Sequence, residues 1–104
     1  MGRSREDLSM FPKAVKLRAG QELFMVQVGR DPDNWKPLSV VGRGAREIRV
    51  RDQSGAFRVI YVAAFRSAVY VLHAFQKKTQ TTGRGDIELA GRRYKEAMAM
   101  ESNA

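Results

Sequence analysis

Gly55-Ala56-Phe57-Arg58-Val59-Ile60-Tyr61-Val62, then Ala68-Val69-Tyr70-Val71-Leu72-His73-Ala74-Phe75, then Gln76-Lys77-Lys78, is the stretch that decides how this chain folds. Both runs are rich in β-branched and aromatic residues and have the length of strands, so strands are expected over 57–62 and 68–75, with a break near 64–67. Apolar residues occupy alternate and intervening positions alike, the pattern of strands covered on both faces. One arginine, Arg58, interrupts the first run, and the lysine pair Lys77 and Lys78 follows the second. A charge inside a two-faced apolar strand costs stability unless it is paired or opens to a cleft. Arg58 is therefore the first candidate functional residue, and basic groups delivered by rigid strands point to a phosphate-bearing partner.

Upstream, Glu47-Ile48-Arg49-Val50-Arg51 alternates strictly and predicts a strand with Ile48 and Val50 inward and Glu47, Arg49 and Arg51 on the other face. Asp52-Gln53-Ser54-Gly55 is hairpin-turn chemistry. Three strands pairing as consecutive hairpins bring Glu47, Arg49 and Arg51 beside Arg58, with Lys77 and Lys78 delivered nearby.

The flanks read as helices. Ser4 and Asp7 have the spacing of a capping box, with Leu8 and Phe11 on one face of a short helix that Pro12 ends. Over 13–28, Ala14, Leu17, Phe24, Met25 and Val28 form one apolar stripe, and Val15, Ala19, Leu23 and Val26 a thinner one. Two apolar faces predict a helix packed on the sheet and against a neighbouring helix. Gly29 and Asp31-Pro32-Asp33 stop it, and Trp35-Lys36-Pro37-Leu38 reads as an extended segment laying its indole over the core rim. Asp86 is placed to cap a last helix over 87–98, with Ile87, Ala90, Tyr94 and Met98 inward and Arg92, Arg93 and Lys95 toward water. The expected fold class is α+β: one domain, 1–104, with a small antiparallel sheet, two N-terminal helices packed on it and a C-terminal helix.

With 19 Lys and Arg against 11 Asp and Glu in 104 residues, the net charge is +8, which favours polyanions, nucleic acid first among them. Without cysteine and with one histidine, disulfides and thiolate metal sites are excluded, and no metal or other cofactor is expected. The first twelve residues are charged and carry no apolar run, and no stretch approaches the roughly 18 apolar residues of a membrane span, so a cytoplasmic protein is expected.

The basic cluster can bind phosphate through charge-assisted hydrogen bonds, the arginine forks in two-pronged contacts. Each member has a plainer reading beside the functional one. Arg49 and Arg51 also suit a solvated strand face, and Lys77 and Lys78 a solubilising loop. Glu47 serves either as a base toward a 2′-hydroxyl or as the holder of an arginine. His73, on simple alternation, shares a face with Val69, Val71 and Phe75 and reads as a hydrogen-bonded core histidine.

The segments 46–51, 55–62 and 71–79, together with Trp35-Lys36-Pro37 and Asp86-Ile87-Glu88-Leu89-Ala90, resemble the HigB-like, phage-derived branch of the RelE/ParE toxin superfamily of type II toxin-antitoxin systems. The similarity runs from about residue 4 to residue 98. It implies a small antiparallel sheet with helices packed on it, and a metal-independent, ribosome-dependent mRNA endoribonuclease. In such an enzyme the ribose 2′-oxygen attacks the adjacent phosphate. The resemblance maps catalytic roles onto Arg58, Lys78, Arg49 and Glu47. RNA contacts are expected at Arg46, Arg51, Lys77 and Arg84. The tyrosine or histidine some members use beyond the last strand has no counterpart among Thr79, Gln80, Thr81 and Thr82. Implied partners are mRNA, the ribosome and a cognate antitoxin, often of helix-turn-helix type. The alternatives are a ParE-like module that inhibits gyrase by protein contact, and a phage remnant without activity.

Overall fold

A computed structural model describes residues 4–63, 69–77 and 83–102. The order of elements is α1 (Ser4–Ser9), α2 (Lys13–Gln27), β1 (Trp35–Pro37), β2 (Ala45–Asp52), β3 (Gly55–Ala63), β4 (Val69–Lys77) and α3 (Arg84–Ser102). The sheet is an antiparallel meander, β1-β2-β3-β4. The segment at Trp35 is thus a fourth strand, paired with β2 through Trp35 opposite Ile48, rather than a loose extended segment.

Local chemistry accounts for the boundaries. Gly29 takes φ +86 after α2, and the N–H groups of Gly29 and Arg30 donate to the carbonyls of Val26 and Met25, closing the helix end as a Schellman cap does. At the β2–β3 turn the Asp52 carboxylate accepts from the Ser54 N–H and hydroxyl, and Gly55 supplies φ +132. The buried Glu22 carboxylate accepts from the Asp33 N–H at 2.7 Å and Arg18 Nε at 3.0 Å, tying α2 to the segment before β1.

The sheet is covered on both faces. On one side Phe11, Val15 and Ala19 pack against Ile48, Val50, Phe57, Val59, Tyr61 and Ala74, with the Phe11 and Phe57 rings 4.9 Å apart. On the other, Ala90 and Ala97 of α3, with Leu38 and Val41 of the β1–β2 connection, cover Ala45, Ile60, Val62 and Leu72. Alanines fully buried at the helix contacts let both layers approach the sheet closely. This double covering explains why β3 and β4 are apolar at consecutive positions, although β4 is an edge strand.

Three expectations need correction. The two apolar stripes of α2 are not both packed: Val15 and Ala19 of the thinner one are buried and Leu23 and Val26 partly buried, whereas Leu17, Phe24 and Val28 of the other are exposed. An irregularity in β4 pairs Ile60 with His73 but Tyr61 with Val71, leaving Leu72 as the extra residue. Val69 and Val71 therefore join the α2 side, while His73 and Phe75 face the other way. Arg93 turns inward instead of toward water, its Nη1 donating to the Leu72 carbonyl at 2.9 Å.

A further close approach lies under the β1–β2 connection, where the Tyr94 hydroxyl donates to the Arg43 carbonyl and a Cβ on Gly42 would collide with the Tyr94 ring. Gly42→Ala therefore has to displace a hydrogen-bonded aromatic, and a loss of about 1–3 kcal/mol is expected in urea unfolding, as for other overpacked sites. An unchanged midpoint would show that the ring moves aside freely.

Candidate phosphate-binding site

The face of the sheet that carries α3 is built in cross-strand rows. Arg49 on β2 stands opposite Arg58 on β3, which stands opposite Phe75 on β4. The next row outward is Arg51, Ala56 and Lys77, and the next row inward is Glu47, Ile60 and His73, with Lys36 of β1 opposite Glu47. Two arginines directly across a ladder repel. Glu47, two residues along from Arg49, relieves this: its Oε1 lies 3.4 Å from Arg58 Nε, 3.7 Å from Arg49 Nε and 3.8 Å from Lys36 Nζ. Its side chain has 0% exposure, whereas those of Arg58, Arg49 and Lys36 are 10%, 37% and 40% exposed.

Three cations from three strands thus stand about one buried carboxylate, and Lys77 of β4 lies close enough to feel Glu47, Arg58, Lys36 and Asp86. Burial pulls the Arg58 guanidinium below its ordinary value; Glu47 opposes the shift, and Arg49 and Arg51 add to it. Burial likewise pulls the Lys77 ammonium down, with Glu47 and Asp86 opposing and Arg58 and Lys36 adding. Arg58 Nη1 donates to the Phe57 carbonyl at 3.3 Å. The Nε groups of Arg49 and Arg58 and the Nζ of Lys77 are buried and donate no hydrogen bond among the described residues. A buried donor left without an acceptor costs about 1–3 kcal/mol. The cations of the cluster open to solvent are Arg49 and Lys36, whose side chains are 37% and 40% exposed.

Beside this cluster, His73 Nε2 is 2.7 Å from Asp86 Oδ1 in the first turn of α3, and its ring stacks on Phe75 with centroids 4.8 Å apart. His73 is thus a buried, hydrogen-bonded histidine. Helix α3 begins at Arg84, so Asp86 stands inside its first turn rather than ahead of it, with Oδ1 on the imidazole.

Among the residues singled out in the sequence, Glu47, Arg49, Arg58 and Lys77 come together, and Arg51 is exposed in the adjoining row. Arg46 does not join them. Alternation along β2 puts it on the α2 side, where its guanidinium binds Asp31 at 3.0 Å and lies 4.1 Å over the Trp35 ring. Its neighbours are those of a structural clamp at the β1 corner. Arg84 is exposed on α3 and is bonded to Glu88 at 3.1 Å. Lys78 and the residues 79–82 lie outside the described residues. Sequence reasoning passed over Lys36, because its signal was a polar position in an apolar extended segment that was not recognised as a strand.

Comparisons with curated proteins and with solved structures return no match. A family model, phage-derived protein Gp49-like (DUF891), matches residues 6–95, a span that includes all four strands and every member of the basic cluster. The chain belongs to the Gp49-like family of phage-derived proteins.

Proposed function

We propose that this protein is a toxin of the type II toxin-antitoxin class and that the Arg49–Arg58–Lys77 face is the phosphate-binding centre of a metal-independent endoribonuclease acting on mRNA at the ribosome. The observation that carries the reading is the excess of cations about the buried Glu47 carboxylate, with Arg49 and Lys36 partly exposed and with Arg49 Nε, Arg58 Nε and Lys77 Nζ lacking a hydrogen-bond acceptor among the described residues. Membership in a phage-derived family and the resemblance of the strand motifs to HigB-like toxins support it.

In the proposed reaction the ribose 2′-oxygen attacks the adjacent phosphorus. The P–O2′ bond forms, the P–O5′ bond breaks, the 2′-hydroxyl proton passes to solvent, and a 2′,3′-cyclic phosphate and a 5′-hydroxyl result. Arg58 and Arg49 stabilise the charge that builds on the non-bridging oxygens, acting from a water-poor surface where such contacts are strongest. Lys77, whose proton burial loosens, gives it to the leaving 5′-oxygen once its side chain, covered at Nζ in this structure, swings outward. Glu47 does not meet the ribose: it is fully buried with three cations within 3.8 Å, and its part is to hold Arg58 and Arg49 in place. Phe75, opposite Arg58, offers a partly exposed ring on which a base can stack.

Induction of Arg58→Ala is expected to leave cells growing and messages intact, where the parent chain stops growth with new 5′ message ends that disappear when translation is blocked. Because Arg58 is ion-paired and buried, its removal is also expected to cost about 1–3 kcal/mol, so circular dichroism accompanies the assay. Continued arrest by a folded Arg58→Ala protein, or arrest with intact messages and DNA damage, overturns the nuclease reading and favours the gyrase-directed one.

A second expectation concerns the carboxylate. Glu47→Gln keeps the shape but leaves the cations facing one another, so its thermal midpoint in chloride is expected to fall by several degrees, as when one partner of a buried pair is removed. Adding inorganic phosphate is expected to raise that midpoint more in the variant than in the parent, the anion taking the place of the lost charge. An equal response in both proteins would mean that phosphate binds elsewhere.

A further inference from the structure

Helix α2 carries an apolar surface that none of the described residues covers. Leu17, Phe24 and Val28 are 65%, 61% and 54% exposed on the side away from the buried Val15, Ala19 and Glu22, and with Met25 they line one continuous groove. Scattered exposed leucines need no explanation, but an aligned stripe containing a phenylalanine marks a contact surface. Gly20 stands in the middle of it, one turn from both Leu17 and Phe24. A glycine inside a helix is about 1 kcal/mol less favourable than alanine. Here nothing in the fold demands one: a Cβ at Gly20 would meet nothing within 4 Å, and its φ is not positive. The residue is explained if something outside the chain comes close to the helix backbone at that notch.

The rim identifies the visitor's chemistry. Lys13, Lys16 and Arg30 border the groove, and the first turn of α2 has no acidic residue. Lysines at a helix N-terminus oppose its dipole, a local cost that an anionic partner reverses. We propose that the outer face of α2 docks an acidic amphipathic helix of a partner protein, its leucine-type residues seated about Gly20 and its carboxylates on Lys13, Lys16 and Arg30. A second copy of the chain fits poorly, because it would bring the same basic rim and a further charge of +8. A lipid surface draws no benefit from a notch one residue wide. The surface lies on the opposite side of the sheet from Arg49 and Arg58, so an occupant here leaves the phosphate-binding face uncovered and the inference stands independently of the nuclease reading.

The test uses the whole chain labelled with ¹⁵N and a synthetic helical peptide of about 18 residues with leucines at i, i+3, i+4 and i+7 and glutamates on its flanks. Saturable shifts are expected at the amides of Leu17, Gly20, Phe24 and Val28, with affinity reduced about tenfold at high salt and again in Lys13→Glu/Lys16→Glu. Gly20→Ala is expected to raise the thermal midpoint, and Gly20→Leu to abolish binding while the protein stays folded. Equal binding of a lysine-flanked peptide, shifts centred on Arg49 and Arg58, or binding unchanged in Gly20→Leu would each overturn the proposal. So would concentration-dependent dimerisation through α2 in sedimentation, or uptake by phosphatidylglycerol vesicles that competes with the peptide.

Discussion

Glu47 is a carboxylate with no exposed surface, and most of the basic face of the sheet follows from what is required to keep it there. An isolated buried carboxylate is too costly to persist ionised. Three cations within 3.8 Å, from β1, β2 and β3, offset that cost, and each is fixed by its ladder register rather than by a flexible loop. One negative charge cannot satisfy all of them, and Lys77 adds a fourth positive charge from β4. The arrangement is electrostatically incomplete by construction. Among the described residues, the Nε groups of Arg49 and Arg58 and the Nζ of Lys77 are buried without a hydrogen-bond acceptor.

Placement of the helices makes this possible without dissolving the core. Both faces of β3 are buried along much of its length, so the sheet resists the local repulsion of Arg49 and Arg58. α3 covers the end of the face bearing Ala45, Val62 and Ile60, and its first turn is pinned where Asp86 meets His73. His73 stacks on Phe75, and Phe75 stands across from Arg58. The boundary between covered core and basic surface is therefore set by a chain of direct contacts, and the extra residue at Leu72 in β4 is what turns His73 toward Asp86.

Much of this was legible in the residues. Alternation gave β2 its basic face, turn chemistry gave the hairpin at Asp52 to Gly55, and two-faced apolar runs gave β3 and β4. What was illegible had physical causes. A bulge shifts side-chain parity without leaving a compositional mark, so Val69 and Val71 were grouped with His73 although the structure separates them. β1 has only three residues, too few for any period to show. Arg46 could not be told from Arg49 and Arg51 by charge; its parity on β2 and the nearby Asp31 and Trp35 decide its place.

The two stripes of α2 teach something different. Periodicity reports which faces of a helix are apolar and is silent about which of them the chain itself covers. Two apolar stripes predict two covered faces, since burial of apolar surface stabilises. The sheet instead selected the stripe with Val15 and Ala19, whose small side chains permit close approach, and with Glu22, whose carboxylate fastens the segment before β1. Shape and a buried hydrogen bond outweighed apolar area. The surplus stripe, with a glycine at its centre and lysines at its edge, then ceases to describe the fold of this chain, and its composition describes the surface that would cover it.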